Sequence, residues 1–299
     1  MNCIVWNCRD AGNTSTVRDL VALTRAHSPS FVFLCETRQQ KDKMYHLRNR
    51  VGLRGFEGVS SDGNSGGLAL FWDESLYVDI RDCNKRWIDV YVRLPADDQI
   101  WRITFVYGEP RVENRHLMWE GLKRLIAQDD IPWLLAGDFN EVMWDYEHLS
   151  DTPRSPGQMI AFRDVLEACN LSDLGFSGYP FTYDNKRSGR ANVQVRLDRA
   201  VADNTWRNKF PEASVKHLIS SCSDHLPLLV RCTPESGGRV RCVRRYEVMW
   251  ERAAALEEVV ADAWREGGTK HGLHDIKVSL DKLMGKLHGW SRKKFGNVV

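Results

Sequence analysis

The feature that most constrains the fold is a series of short apolar runs separated by helical patterns. Cys3–Trp6, Phe31–Cys35 and Trp133–Ala136 read as strands, with Phe31–Cys35 buried. Between the first two, Thr16–His27 places Val17, Leu20, Val21 and Leu23 at amphipathic helical spacing. Gly67–Trp72, Tyr77–Asp82, Trp87–Arg93 and Arg102–Tyr107 then read as strands joined by turn residues with no clear helix between them. Helices are expected at Glu113–Ala127 and Met159–Cys169, and further strands at Phe181–Tyr183, Val195–Val201 and Leu226–Arg231. Such a mixture of β-α-β segments and antiparallel meanders predicts an α/β fold whose sheets are covered by helices on their outer faces. There is no internal repeat and no low-complexity segment.

At 299 residues the chain can form two domains or one large layered fold, and its core needs no metal or disulfide staple. No apolar run nears the ~20 residues of a membrane helix. The opening MNCIVWNCRD lacks the basic-then-apolar layout of a signal peptide, so a soluble intracellular chain is expected. The eight cysteines (Cys3, Cys8, Cys35, Cys83, Cys169, Cys222, Cys232 and Cys242) include no C-x-x-C pair and read as reduced thiols packed as small hydrophobes.

A turn-rich stretch, Thr233–Gly238, suggests a boundary, with a body over 1–233 and a helical, basic tail over 234–299. Residues 236–299 carry 13 Lys and Arg against 8 Asp and Glu, leaving a slightly acidic body with 29 against 32. In the tail, Glu251–Trp264 looks helical. Ile276, Leu280, Leu283, Leu287 and Trp290 recur at coiled-coil spacing, in a seam short enough to be a helix docking on the body or on its neighbour.

Gly63-Asn64-Ser65-Gly66-Gly67 matches the G-x-S-x-G nucleophile elbow. That elbow needs a strand before it and a helix after it, whereas here polar residues precede and a strand pattern follows. The stretch reads as a glycine-rich turn. No Walker A loop, H-E-x-x-H or dinucleotide fingerprint is present.

The chemistry concentrates at strand ends. Asn7 follows Ile4-Val5-Trp6, Glu36 follows Phe31–Cys35, and Asp138 and Asn140 follow Trp133–Gly137. Asp198 lies inside the expected strand Val195–Val201, and Asp224 and His225 come directly before Leu226. Strand ends are where ligand sites form in α/β sheets, and a carboxylate desolvated there needs a cation or a hydrogen-bond partner. Each residue alone has an ordinary structural explanation. Together they supply what phosphodiester hydrolysis requires: oxygen ligands for a hard divalent cation, a positioned water and stabilisation of developing charge.

The motifs Trp6-Asn7-Cys8-Arg9, Cys35-Glu36-Thr37, Phe105-Val106-Tyr107-Gly108-Glu109-Pro110, Gly137-Asp138-Phe139-Asn140, Ser172-Asp173-Leu174-Gly175, Arg196-Leu197-Asp198-Arg199 and Ser223-Asp224-His225 occur in this order. With them the chain resembles the endonuclease/exonuclease/phosphatase superfamily over roughly residues 2–232. Within it, the chain is similar to the endonuclease domain of plant non-LTR (LINE-type) retrotransposons. The tail, from Tyr246-Glu247-Val248-Met249-Trp250 to Arg292-Lys293-Lys294, resembles the connector before a reverse transcriptase, which would then be separate or missing.

The resemblance implies a four-layer α/β sandwich, two mixed β-sheets flanked by helices, with a helical C-terminal appendage. It also implies Mg²⁺-dependent cleavage of DNA, with Mn²⁺ as a substitute, and hence nuclear action. Glu36 would be the main metal ligand, with Asn7 beside it and Asp224 at the metal side. Asp138 would position and deprotonate the attacking water, and Asn140 would fix that water or the phosphate. His225, oriented by Asp198, would contact the scissile phosphate. Ser223 and Tyr107 would donate to phosphate oxygens, and Thr182 would contact DNA near the nick. The chain departs from the family pattern at Asp10, where the family has glycine, and at Tyr183, where it commonly has tryptophan. Two other readings stay open: an abasic-site or other phosphoesterase of the same superfamily, and a decayed copy that binds nucleic acid through its basic tail without cutting.

Overall fold

A computed structural model describes residues 1–63, 65–94, 97–126, 131–232, 253, 255–265 and 272–295. These fall into two units, Met1–Ser236 and Gly237–Val299.

The first unit begins with β1 (Asn2–Asn7), α1 (Thr14–His27), β2 (Phe31–Cys35), α2 (Lys41–Val51), β3 (Gly55–Val59) and β4 (Leu68–Trp72). A meander follows, β5 (Tyr77–Cys83), β6 (Trp87–Leu94) and β7 (Asp97–Tyr107), then α3 (Arg115–Arg124), β8 (Trp133–Asp138), the short β9 (His148–Leu149) and α4 (Pro156–Ala168). It closes with β10 (Ser172–Asp173), β11 (Tyr183–Asp184), β12 (Gln194–Val195), β13 (Asp198–Ala202), α5 (Asn204–Lys209), β14 (Ser214–His217) and β15 (Leu228–Arg231).

Two six-stranded sheets result, ordered β14-β15-β1-β2-β4-β3 and β10-β13-β8-β7-β6-β5. Both are mixed, with β1–β2 and β7–β8 as their parallel pairs. Alternation along the strands sorts the side chains. Val5, Phe33, Leu70 and Val230 of one sheet meet Val90, Ile103, Phe105 and Ala136 of the other in a core between the sheets. The opposite face of the first sheet, through Ile4, Val32 and Phe71, packs on Leu20 of α1 and Met44 and Leu47 of α2. The outer face of the second, through Val106, Leu135 and Val201, packs on Trp119 of α3 and Phe162 and Val165 of α4. The unit is therefore a four-layer sandwich, as the resemblance implies. Helix α1 is set locally, because Asn13 caps its first turn by accepting from the Ser15 amide and Ser28 ends it in a left-handed conformation.

The expected strand Val195–Val201 is in fact two. Arg196 and Leu197 break it because the Arg196 guanidinium turns inward to Glu147 (2.8 Å) and Asp173 (2.9 Å), and Asp198 becomes the first residue of β13. The expected helix at Glu113 begins at Arg115, after a single 3-10 turn. Strands β3 and β14 and helices α2 and α5 lie where the sequence pattern gives no element. The glycine-rich turn at Gly63–Gly67 leads into β4, with Gly66 and Gly67 at φ 70° and 89°.

In the second unit α6 (Leu256–Arg265) packs on α7 (Leu273–Phe295). Leu287 of the apolar seam is buried, while Ile276 and Leu280 are exposed. The proposed boundary Thr233–Gly238 and the segment Tyr246–Trp250 lie outside the described residues. Among the described residues no helix is long and apolar enough to cross a membrane.

A buried ion network pins β13 to the loops around it. Arg199 is fully buried and bonds Glu147 (2.8 Å) and Asp173 (2.9 Å), the same two acids that hold Arg196. Burial pushes the Asp173 carboxyl up, but Arg196 and Arg199 outweigh it and hold it down at about 2. Its folded pKa lies below the unfolded value of about 3.9, so its contribution to stability is complete above about pH 4 and is lost as pH falls through about 2. Asp173→Asn is expected to cost about 2 kcal/mol at pH 7, less than a wholly broken buried pair because Glu147 remains. In urea unfolding the gap to the wild type should close between about pH 4 and pH 2. Equal stability of the two proteins at pH 7 would refute the account.

Candidate active site

Strand ends from both sheets meet at one end of the sandwich. Asn7 ends β1, Tyr107 ends β7, Asp138 ends β8, and Asp198 opens β13. Glu36 directly follows β2, and Ser223, Asp224 and His225 form the turn before β15. Pairing sets Tyr107 beside Asp138 and Asp198 directly opposite it. Two glycines allow the close approach: a Cβ on Gly137 would collide with the Val106 carbonyl, and one on Gly108 with the Phe139 carbonyl.

The side chains form two hydrogen-bonded groups that meet at Asp138 and His225. Asp138 Oδ2 accepts from Asn7 Nδ2 at 2.9 Å, and its Oδ1 accepts from the Asn140 amide at 2.8 Å. Asn7 Nδ2 also lies 3.4 Å from Glu36 Oε1, the oxygen that accepts from the Tyr107 hydroxyl at 2.9 Å. His225 Nδ1 bonds Asp198 Oδ2 at 2.8 Å and sits 4.0 Å from Asp138 Oδ2. His225 is held through both its ring and its backbone. The Tyr183 ring lies 5.1 Å away, the Trp6 indole donates to the His225 carbonyl at 3.1 Å, and the His225 amide donates to the Ser223 hydroxyl at 3.0 Å.

Charge follows from this packing. Burial, then the nearby Asp198 charge, pushes the Asp138 carboxyl up to about 6. Burial pulls His225 down, but Asp198 and then Asp138 outweigh it and push the imidazole up to about 9. Burial and the Glu36 charge raise Tyr107, which stays a neutral donor. At neutral pH the centre is an ionised Asp138 beside an imidazolium that has Nε2–H as its second donor.

Glu36 and Asp224 flank Arg9. The Arg9 guanidinium pairs with Asp224 through Nη1 and lies 3.6 Å from Glu36 Oε2 through Nε, and Arg38 reaches the same Glu36 oxygen at 3.4 Å. Asn7 Oδ1 and Asp224 Oδ1 are buried without any hydrogen-bond partner. Unsatisfied buried oxygens beside a carboxylate are the donor set of a hard divalent cation, so Glu36, Asn7 and Asp224 fit such an ion. Asp138, Asp198 and His225 also gather their ligand atoms within 4.8 Å. Their donors already engage one another or Asn7, which suits proton transfer better than ligation.

Some expected substrate contacts are turned inward. Thr182 is 1% exposed, and its hydroxyl accepts from the Leu197 and Asp198 amides, both at 2.9 Å, so it fixes the start of β13. The Ser223 hydroxyl donates to the Asn7 carbonyl at 2.9 Å and ties β1 to the histidine turn. Asn140 Nδ2 donates to the Gly108 carbonyl at 3.0 Å. The Asp10 carboxylate, which replaces a family glycine at φ 102°, accepts from the Gly12 amide (2.7 Å) and Gln39 (2.8 Å). Sequence reading assigned no role to Arg9, Arg38, Arg196 or Arg199. For the last two the signal was available: arginines flank Asp198 inside an otherwise apolar strand pattern.

This arrangement can be set beside known proteins. The model of the Endonuclease/Exonuclease/phosphatase family matches residues 4–225, most of the sandwich. The chain belongs to that family. Its members are mostly hydrolytic nucleases or phosphatases. No curated protein sequence matches the chain. Among solved structures the fold is similar to the AP endonuclease LMAP from Leishmania major, at 18% identity and TM-score 0.60 over 77% of this chain and 86% of that one. It is also similar to the 3′ phosphatase NExo from Neisseria bound to product DNA hairpin, at 16% identity and TM-score 0.57 over 77% and 98%. The endonuclease domain of TRAS1, a telomere-specific non-LTR retrotransposon, matches at 15% identity and TM-score 0.55 over 78% and 99%.

The His225–Asp198 pair has a direct test. By side-chain NMR of the metal-free chain, His225 should lose its proton near pH 9. In Asp198→Asn it should lose it below about pH 7, toward the ordinary histidine value. Because the folded pKa is raised, the pair's stabilisation is complete below about pH 6.5 and is lost as pH rises through the folded value. A wild-type histidine titrating near its ordinary value would sink the ion-pair reading.

Proposed function

We propose that this endonuclease/exonuclease/phosphatase family member is a Mg²⁺-dependent DNA endonuclease that nicks phosphodiester bonds, as in target-primed retrotransposition. The observation that carries the reading is the convergence of two hydrogen-bonded groups, Glu36–Asn7–Asp138 and Asp198–His225, which approach to 4.0 Å between His225 Nδ1 and Asp138 Oδ2, with two buried oxygens left open for a cation. DNA as substrate is supported by the NExo structure with its product hairpin, and endonuclease action by the likeness to the TRAS1 endonuclease domain.

Glu36, Asn7 and Asp224 would hold the ion, Mg²⁺ or Mn²⁺, which when bound supplies charge for the phosphate oxygens and the leaving group. Asp138, ionised above about pH 6, takes the proton of the attacking water as the water oxygen bonds phosphorus and the bond from phosphorus to O3′ breaks, the departing O3′ taking a proton from solvent to become the 3′-hydroxyl. Asn140 keeps Asp138 aimed by donating its amide to Oδ1. His225, charged up to about pH 9, offers Nε2–H to the scissile phosphate while Asp198 fixes its Nδ1 side. Tyr107 holds Glu36 from the second sheet, a positioning role in this arrangement. The 3′-hydroxyl left at the nick is the primer a reverse transcriptase needs. Such a substrate places the activity in the nucleus.

The LMAP likeness supports an abasic-site reading as the second one. Supercoiled plasmid separates them. With Mg²⁺ the wild type should give open circles, EDTA should abolish them, and Asp138→Ala and His225→Ala should each lose about 10²-fold or more in rate. Abasic duplex cut far faster than intact plasmid would favour repair. No nicking by the folded wild type on either substrate would overturn the enzymatic reading.

A further inference from the structure

No step of the proposed reaction uses Arg9, yet Arg9 is built into the site. Beyond the ends of β1 and β2 the two segments stay paired: the amides of Cys8, Asp10 and Ala11 donate to the carbonyls of Cys35, Glu36 and Thr37. To keep that pairing the backbone turns left-handed at Arg9 (φ 48°) and Glu36 (φ 50°), conformations costing about 1 kcal/mol or more for residues other than glycine. The strain sets the two side chains facing one another. Arg9 is 44% exposed, so its guanidinium sits on the rim, paired with Asp224 and 3.6 Å from Glu36.

The pairing is incomplete as ligation. The guanidinium engages Glu36 Oε2 and Asp224 Oδ2, whereas Asp224 Oδ1 and Asn7 Oδ1 keep no partner, and Asn7 is 1% exposed. A divalent ion on oxygen ligands meets that deficit.

We propose that Arg9 is a tethered counterion that holds Glu36 and Asp224 together while no divalent metal is bound, leaves them on metal loading, and then presents its guanidinium at the rim to a DNA backbone phosphate. The inference rests on Glu36, Asn7 and Asp224 being the metal ligands. It adds a competition: the chain's own cation occupies the two carboxylates until metal and nucleic acid together give it a better place. Arg38 cannot take over this duty, because its one carboxylate contact is to Glu36 among the described residues.

The consequence is opposite in sign for the two ligands. In Mn²⁺ titration calorimetry of the full chain without DNA, Arg9→Gln should bind Mn²⁺ about tenfold more tightly, the scale of two partly exposed ion pairs no longer in competition. Glu36→Gln should abolish the binding. Arg9→Lys keeps a charge but not the fork that spans two carboxylates, and should shift the affinity in the same direction by less. With Mn²⁺ saturating, Arg9→Gln should bind an uncleavable phosphorothioate duplex more weakly, with the slope of log affinity against log salt reduced by about one. A merely structural arginine would move neither quantity in this pattern. Unchanged or weaker Mn²⁺ binding in both folded Arg9 variants, with Glu36→Gln still abolishing it, overturns the counterion role alone. Mn²⁺ binding that survives Glu36→Gln overturns the metal site and the counterion role together.

Discussion

The charge on His225 is the interaction the rest of the site depends on. The register of β8 and β13 places Asp138 and Asp198 directly opposite one another, both 1% exposed. Two like charges so placed would repel in a medium that screens them poorly. An imidazolium 2.8 Å from one carboxylate and 4.0 Å from the other offsets that repulsion. Asn7 and the Asn140 amide then satisfy the oxygens of Asp138. Removing any of these donors leaves a buried carboxylate to take up a proton.

That constraint explains why so much of the fold near the site is rigid. The small residues at Gly108 and Gly137 bring the loop after β7 against the end of β8. Buried Glu141 holds Arg115, which in turn donates to the Glu109 carbonyl at 3.1 Å, while Arg154 donates to the Asn140 carbonyl at 2.9 Å. On the far side of Asp198, Thr182 receives two amides and Arg196 and Arg199 anchor Glu147 and Asp173. The left-handed backbones at Arg9, Asp10 and Glu36 lie in the paired segments beyond β1 and β2, and that at Asn140 is held by its amide on Asp138 and its carbonyl on Arg154. Strain of that kind persists where the surroundings over-determine the backbone, and here they do.

How much of this was legible depended on whether hydrophobic pattern or polar contact set the structure. The buried strands β1, β2 and β8 declared themselves, as did their polar ends Asn7, Glu36 and Asp138, because polar groups closing several apolar runs make a set that no single one of them would. Helix α2 was hidden: only Met44, Leu47 and Val51 are buried in an otherwise charged segment, too few to mark a face. Strand β3 carries two glycines and pairs with β4 through its backbone, so it has little side-chain signature. The break between β12 and β13 was invisible for the opposite reason. Apolar residues bracket Val195–Val201, so the run reads as one strand, and the ion network turns Arg196 inward. The inward bonds of Thr182 and Ser223 could not be read from motifs at all, since a motif gives a residue's neighbours in sequence and not the acceptor its hydroxyl finds.

The chain's slightly acidic body carries the same logic further. A surface that attracts phosphate by net charge alone would need a basic excess, and the body has 29 Lys and Arg against 32 Asp and Glu. Under the proposed reading the attraction is local: Arg9, Arg38, His225 and a divalent ion oppose Glu36, Asp138, Asp198 and Asp224 within one pocket. Three protein cations face four carboxylates there, so before loading the pocket is short of positive charge by one. A dication turns that deficit into a single positive excess, the charge one phosphodiester brings. A site balanced in this way holds metal and substrate most tightly together and each less well alone, because either one by itself leaves the pocket charged.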